Sequence, residues 1–361
     1  MTLTFMLAQT HPLTTNLSAI KKTLPSQNTQ SLIKNLQEIC HSDLVQLNHI
    51  ILTHLEQRVP LIGDIAKHLI LAGGKRLRPL LSLACCRTLG ETPSHKMVEL
   101  AASIEFIHSA TLLHDDVVDV SPLRRGRPTA NALWGNKPTI LVGDFLFAKA
   151  FELMLGDNEK RVLPILAKVS QTITEGEVFQ LSYLKTFSLD ETVLLRIIGS
   201  KTAALFAASC EISAALFNRS CDVQEALHHF GYNLGMAFQI IDDLLDYVGE
   251  TESLGKSMGD DLKEGKVTVP LFLAYQEGSL KERGILESMI ARAGVTIDET
   301  LDPSDLDTAL HIMHRTGAIQ KSYDKAWTYA KKAIDALSPV NESPIKRILS
   351  DLCYSLVIRT S

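Results

Sequence analysis

The sequence predicts an all-α protein, one large helical bundle, and three observations carry that expectation. From about Ser31 onward, apolar residues recur at three- and four-residue steps, which gives a helix one buried face. Period-two alternation, the mark of a strand, is nearly absent. Gly and Pro fall between the periodic segments, at Gly73-Gly74, Gly90, Pro93, Gly126, Pro128, Pro138 and Gly156, where helices are expected to end.

The elements follow in order. LIKNLQEI (residues 32–39), DLVQLNHIILTHLEQ (43–57) and PLIGDIAKHLILAG (60–73) each place Leu and Ile on one face. RPLLSLACCRTLG (78–90) and MVELAASIEFIHSATLLHDDVVDV (97–120) are more apolar, as helices in a bundle interior should be. TILVGDFLFAKAFELML (139–155), the Ala-rich ALFAASCEISAALF (204–217) and the segment 235–248 complete the strongest signals. Small side chains such as those of AALFAAS permit close helix packing, and no break is long enough for a linker, so a single domain is expected. Residues 1–31 differ, being rich in Thr, Ser, Asn and Gln, with no acidic residue before Glu38. They lack the charged start and apolar core of a signal peptide and the Arg of a transit peptide. A flexible extension is expected there, with the folded domain spanning 32–361.

Composition narrows the function classes. With 45% hydrophobic residues, 21% charged residues and a formal net charge of −5, there is no positive excess to neutralise a nucleic-acid backbone. Six scattered cysteines without a CxxC pair read as buried free thiols in a reducing compartment. No run approaches the ~18 uninterrupted apolar residues of a membrane span.

Two aspartate triplets interrupt this apolar pattern: Asp115-Asp116-x-x-Asp119 and Asp242-Asp243-x-x-Asp246. Residues at i and i+4 lie about 5–6 Å apart on one helix face. Asp115 therefore pairs with Asp119, and Asp242 with Asp246. Carboxylates crowded on an apolar face repel one another and lose hydration unless cations compensate them. Hard divalent ions do so, and Mg²⁺ adds waters and substrate phosphates to one or two carboxylates. A solvated helix face is the bland account of one triplet, but two copies flanked by Leu, Ile and Val point to a diphosphate cage. Neither triplet has the spacing, central Gly or closing Glu of an EF-hand.

Basic groups flank the first triplet. GGKRLRP offers Lys75, Arg76 and Arg78 after two glycines that would let a ligand approach, and SPLRRGRP offers Arg124 and Arg125 about a turn past Asp119. Bidentate Arg and point-charge Lys suit a diphosphate. His108 lies two turns before Asp115 and Gln239 one turn before Asp242, each on the face of its triplet. By itself His108 reads better as a core histidine, and Thr202 could be a residue bonding back to its own helix.

With GGKRLRP, EFIHSATLLHDDVVD, the Arg pair, VGDFL, EGEVFQL, SKTAALF, GMAFQIIDDLLDY and GDDLKEGKVTVPL in this order, the chain resembles the trans-isoprenyl diphosphate synthases, specifically the long-chain polyprenyl type, from roughly Leu32 to its end. The resemblance implies the isoprenoid-synthase bundle with a central cavity and Mg²⁺-dependent head-to-tail condensation of isopentenyl diphosphate onto an allylic diphosphate. It implies metal ligation by Asp115, Asp119 and Asp242, helped by Asp116 and Asp243. Arg124, Lys201 and Lys266 would contact the allylic diphosphate; Lys75, Arg78, His108 and Arg125 would bind isopentenyl diphosphate; Thr202 and Gln239 would stand beside the reacting carbons. Small Ala110, with Thr111, implies a deep tunnel and a product of eight to ten isoprene units, with Phe145, Phe147, Phe151 and Met154 as wall candidates. Val267 stands where the family commonly has Pro. The resemblance also implies a homodimer, a cytoplasmic location, transient membrane contact on release, and a quinone side chain as the product's destination. Competing readings are a shorter-chain synthase, a terpene cyclase, a non-catalytic partner subunit and a metal-storage bundle. Intact GGKRLRP argues against the cyclase, and six retained aspartates argue against the partner subunit.

Overall fold

Two buried helices carrying the aspartate triplets organise the structure, a computed structural model that describes residues 28–56, 58–155, 160–249, 258–293 and 302–358. Ahead of them come α1 (Thr29–Ile39), α2 (His41–Leu55), α3 (Pro60–Ile70) and α4 (Leu77–Thr88). Residues 1–27 of the expected extension lie outside the described residues, as does Gly156. Its last residues are already folded: the Asn28 side chain accepts from the Ser31 N–H at 2.8 Å and caps α1, so helix begins three residues earlier than expected.

The first central helix, α5 (His95–Val118), opens on Ser94, whose hydroxyl accepts from the Met97 N–H at 3.2 Å. It has no polar stripe, because other helices cover it on nearly every side. A two-stranded hairpin follows, β1 (Leu123–Arg124) with β2 (Arg127–Pro128), before α6 (Ala130–Trp134), α7 (Asn136–Met154) and α8 (Val162–Leu181). The hairpin is the one departure from all-α expectation among the described residues. Arg125 and Gly126 have φ of 52° and 72°, and two left-handed residues make the tight turn whose twist suits a hairpin.

Next come α9 (Glu191–Ile198), a π-helical turn (Gly199–Ala203), α10 (Ala204–Leu216) and the second central helix, α11 (Cys221–Val248). The Ala-rich face of α10 meets two glycines of α11. A Cβ at Gly231 would lie 2.4 Å from the Phe206 carbonyl oxygen, and one at Gly235 would lie 2.7 Å from Ala203 Cα. Substituting either costs about 1–3 kcal/mol through overpacking. The chain ends in α12 (Asp260–Lys263), α13 (Val269–Glu277), α14 (Leu280–Arg292), α15 (Pro303–Thr316), α16 (Ala318–Ala336) and α17 (Pro344–Ile358).

The main core runs between α4, α5, α7, α10 and α11, with Phe106, Phe206 and Phe230 fully buried. Each such side chain contributes on the order of 1.5–3 kcal/mol. A smaller core, holding Tyr247, Leu271, Leu286 and Met313, lies beneath α12 to α16. Residues 191–216 are apolar and long enough to cross a membrane, but 61% of the relevant window is buried inside the bundle. All six cysteines are free; five are buried as expected, while Cys221, first residue of α11, is exposed.

Candidate active site

One cavity of about 470 Å³ opens between α5, α8, α9 and α11, and both aspartate triplets reach it. Asp115 and Asp119 come from the end of α5, and Asp242, Asp243 and Asp246 from α11. Arg78, His108, Arg124 and Arg125 line it with them, as do Lys201, Thr202, Gln239 and Lys266. Residues up to 188 positions apart are thus brought to one hollow.

The six triplet aspartates have separate surroundings. Asp116 is 1% exposed and does not line the cavity; Arg124 Nε and Nη2 bind its Oδ1 at 2.9 and 2.8 Å. Its place is behind Arg124, not among the oxygens facing the hollow. Asp246 accepts the N–H groups of Asp260 and Asp261 at 3.2 and 3.1 Å, tying α11 to the start of α12. Asp243 accepts from Gln239 Nε2 at 2.7 Å, and Gln239 Oε1 accepts the Thr202 hydroxyl at 2.7 Å. That chain fixes which end of the Gln239 amide is which. Burial, with Asp261 nearby, holds the Asp243 carboxyl well above the usual range.

Asp115 shows most directly what the site calls for. Burial, reinforced by Glu177 and Asp119 and opposed by Lys201 and Arg124, pushes its carboxyl up to about 7. A carboxylate so crowded favours a compensating cation. The donor set is all oxygen, which suits a hard divalent ion. Among the described residues no three His, Cys, Asp or Glu side chains are arranged to hold an ion by themselves. Diphosphate oxygens and water would therefore complete the shell, as Mg²⁺ chemistry prefers.

Cations surround these acids. Lys266 binds Asp119 at 2.8 Å and Glu264 at 2.6 Å. Burial alone would weaken its charge, but Asp119, Glu264 and Asp261 outweigh that and hold it above the ordinary lysine range. Lys201 binds Glu177 at 2.7 Å and also donates to Gln180. It sits in the π-helical turn, where one extra residue redirects side chains. Glycines make room for that wider turn: a Cβ at Gly176 would lie 2.6 Å from Ser200 Cβ, and one at Gly199 would lie 2.4 Å from the Tyr232 hydroxyl oxygen.

At the other end of the cavity Arg78 Nη1 lies 3.1 Å from His108 Nε2. A guanidinium only donates, so Nε2 accepts and the imidazole proton sits on Nδ1. Burial first, then Arg78, Arg124 and Arg125, hold His108 well below its usual range, so it is neutral. Arg78 Nε is buried without a hydrogen-bond partner, a donor pre-placed for an anion. Burial lowers the Arg78 pKa to about 10 against the pull of Glu105 and Asp242. Gly74 serves a neighbour: a Cβ there would lie 3.0 Å from Arg125 Nη1, so the glycine admits that guanidinium. Lys75 is exposed and does not line the cavity.

Of the tunnel residues, Thr111 lines the cavity and Ala110 does not; Ala110 is fully buried among core side chains. Phe145, Phe147, Phe151 and Met154 lie outside the lining too, Phe147 stacking on His114. The apolar wall instead includes Ile173, Leu194, Ile197, Ile198 and Phe238, which the sequence alone did not single out. Glu177, Gln180 and Asp261 were given no role there either, being visible only as parts of EGEVFQL and GDDLKEGK.

The fold is shared with known proteins. The polyprenyl synthetase family model matches residues 59–302. The chain belongs to the polyprenyl synthetase family. It is a prenyltransferase with the family's all-α fold. It is 38% identical to the octaprenyl diphosphate synthase of Haemophilus influenzae over 91% of this chain and 97% of that one. Among solved structures, a polyprenyl synthase from Caulobacter crescentus, complexed with calcium and isoprenyl diphosphate, superposes with a TM-score of 0.85 at 42% identity, covering 91% and 98% of the two chains. A decaprenyl diphosphate synthase from Rhodobacter capsulatus gives 0.85 at 40% identity, covering 91% and 99%.

Proposed function

We propose that this prenyltransferase is a long-chain trans-polyprenyl diphosphate synthase, adding isopentenyl diphosphate successively, head to tail, to an allylic diphosphate of farnesyl type until the product reaches roughly C40–C50. Long-chain synthesis has the support of relatives that are octaprenyl and decaprenyl synthases at 38–40% identity. The observation that carries the site assignment is that Asp115 and Asp119 on α5 and Asp242 on α11 line one cavity, with partly buried cations at both ends.

In this reading Asp115, Asp119 and Asp242 would hold Mg²⁺, with Asp243 and Asp116 behind them. The ion would supply the positive charge that lets a diphosphate leave an allylic carbon at neutral pH. Arg124, Lys201 and Lys266 grip the same diphosphate and take up its growing charge. Arg78, His108 and Arg125, with Lys75 from outside, orient isopentenyl diphosphate so that its alkene faces the cation. The Gln239 carbonyl and Thr202 hydroxyl direct negative dipole density toward that carbon, and Ile197, Ile198 and Phe238 exclude water. The proton lost after C–C bond formation goes to the departing diphosphate, so no side-chain nucleophile is required. A cytoplasmic homodimer that releases its product at a membrane, for quinone side chains, fits this chemistry.

Incubating the purified chain with farnesyl diphosphate, labelled isopentenyl diphosphate and Mg²⁺, then sizing the products, tests this. Roughly C40–C50 chains are expected. A C20 limit would favour the geranylgeranyl-type alternative, and no condensation would leave a partner subunit.

A further inference from the structure

Two residues that line the cavity, Glu177 and Gln180, have no part in the proposed reaction. Both stand on α8, three positions apart and therefore on one face, and both take Lys201 as a partner. Glu177 Oε2 lies 2.7 Å from Lys201 Nζ, and Gln180 Oε1 accepts from the same nitrogen. An ammonium carries three donors and no acceptor. Two are taken here, and among the described residues the third has no partner, on a side chain that lines the cavity.

The backbone supports the same grip. Gly176, beside Glu177, faces the π-helical turn that carries Lys201: a Cβ there would lie 2.6 Å from Ser200 Cβ and 3.3 Å from Lys201 Cγ. Any larger residue at 176 would push the turn off α8 and part the three side chains. A lysine stem is long and flexible, so its ammonium keeps one place only where partners fix it. Stability does not account for the arrangement. The Lys201 and Glu177 side chains are 21% and 27% exposed, and an ion pair in contact with water adds little to folding.

Lys201 differs in this from the other cations at the allylic end. Arg124 is bonded to Asp116, and Lys266 to Asp119, both of them triplet aspartates. Lys201 is held by side chains outside both triplets, so a metal ion among the aspartates would leave its grip intact. Without that grip Lys201 would be drawn toward Asp115, on whose carboxyl Lys201 and Glu177 act in opposite senses.

We infer that Glu177, with Gln180, is a positioning residue for Lys201: the two oxygens hold its ammonium so that one N–H is kept for the allylic diphosphate. This rests on the function proposed above and deepens it. Neither residue touches substrate; both act through the lysine.

Steady-state kinetics of the first condensation, on the full chain with Mg²⁺, test it, with farnesyl diphosphate and isopentenyl diphosphate varied separately. Glu177→Ala, which removes the acceptor, should lower kcat/KM for farnesyl diphosphate about tenfold and leave KM for isopentenyl diphosphate within about twofold. Glu177→Gln, which keeps an acceptor oxygen, should recover most of the loss. In a Lys201→Ala background, Glu177→Ala should cost less than about twofold more, because the residue it acts through is gone. The full tenfold loss in that background would overturn the assignment. So would an unchanged or raised kcat/KM for farnesyl diphosphate, the result if the carboxylate merely repels the incoming diphosphate, or a matching rise in KM for isopentenyl diphosphate. Should the Ala variant not fold, Glu177→Leu, of similar bulk and without an acceptor, reads the same quantities. Wild-type protein that condenses nothing would remove the proposed function, and this inference with it; wild-type turnover with an unselective or additive Glu177 variant removes this inference alone.

Discussion

Lys266 Nζ lies 2.8 Å from Asp119 Oδ2, a bond between residues 147 positions apart that closes the cavity between the end of α5 and the loop after α12. Under the proposed function that oxygen is one a metal ion would claim, so metal and diphosphate would part the pair, with Asp119 held to the ion and Lys266 to the diphosphate.

Lys266→Ala should therefore act on the chemical step more than on folding. One preplaced donor to developing charge is worth about 100- to 1000-fold in kcat. We expect kcat to fall by at least the lower figure, with KM for isopentenyl diphosphate nearly unchanged. Single-turnover measurements, which separate chemistry from product release, check this.

Asp116→Asn should weaken the allylic end and the fold together. The carboxylate is buried and Arg124 binds it through two nitrogens, so the amide leaves a guanidinium poorly partnered. Losing a charged hydrogen-bond partner costs about 1–3 kcal/mol, toward the lower end here because Arg124 is partly exposed. Urea unfolding reads that loss, and KM for farnesyl diphosphate should rise while KM for isopentenyl diphosphate holds.

Acidity should govern metal binding through Asp115. Its folded pKa, about 7, lies above the ordinary aspartate value of 3.8. Between these values the metal-free folded chain binds more protons than the unfolded one, so this group's burden on stability grows as pH rises toward 7. The metal requires the ionised form. Mg²⁺ affinity should fall by up to about tenfold per pH unit below 7 and level off above it. The Mg²⁺-induced rise in melting temperature, measured with pyrophosphate present, should accordingly be larger at pH 8 than at pH 6; the reverse order would exclude Asp115 as a ligand.

Much of this site is legible before any coordinates, because crowded carboxylates and clustered arginines are improbable in apolar helices without a ligand. What escapes has identifiable causes. The Arg125-Gly126 turn lacks the Asn-Gly signature and long alternating strands, so the hairpin stays hidden. The π turn at Gly199–Ala203 adds one residue, a shift helical periodicity cannot resolve, although Gly176, Gly199 and Gly235 mark the room it needs. The differing fates of Asp116 and Asp115, adjacent in sequence, follow from one facing Arg124 and the other the cavity.

Product length is the remaining prediction, and packing sharpens it. Ala110 lies one turn before His114 on α5, fully buried within the main core, and does not line the cavity. A growing chain that passes Ala110 must open a path between packed side chains, which is feasible beside a methyl group and not beside a phenol. Ala110→Tyr should therefore shorten the product sharply, to about C20, while the first condensation proceeds at a near-normal rate because Asp115 and Arg78 are untouched. Overpacking should also cost about 1–3 kcal/mol of stability. Chromatography of labelled products measures the first effect and urea unfolding the second. Full-length product from a folded Tyr variant would move the tunnel to the wall formed by Ile173, Leu194, Ile197 and Ile198.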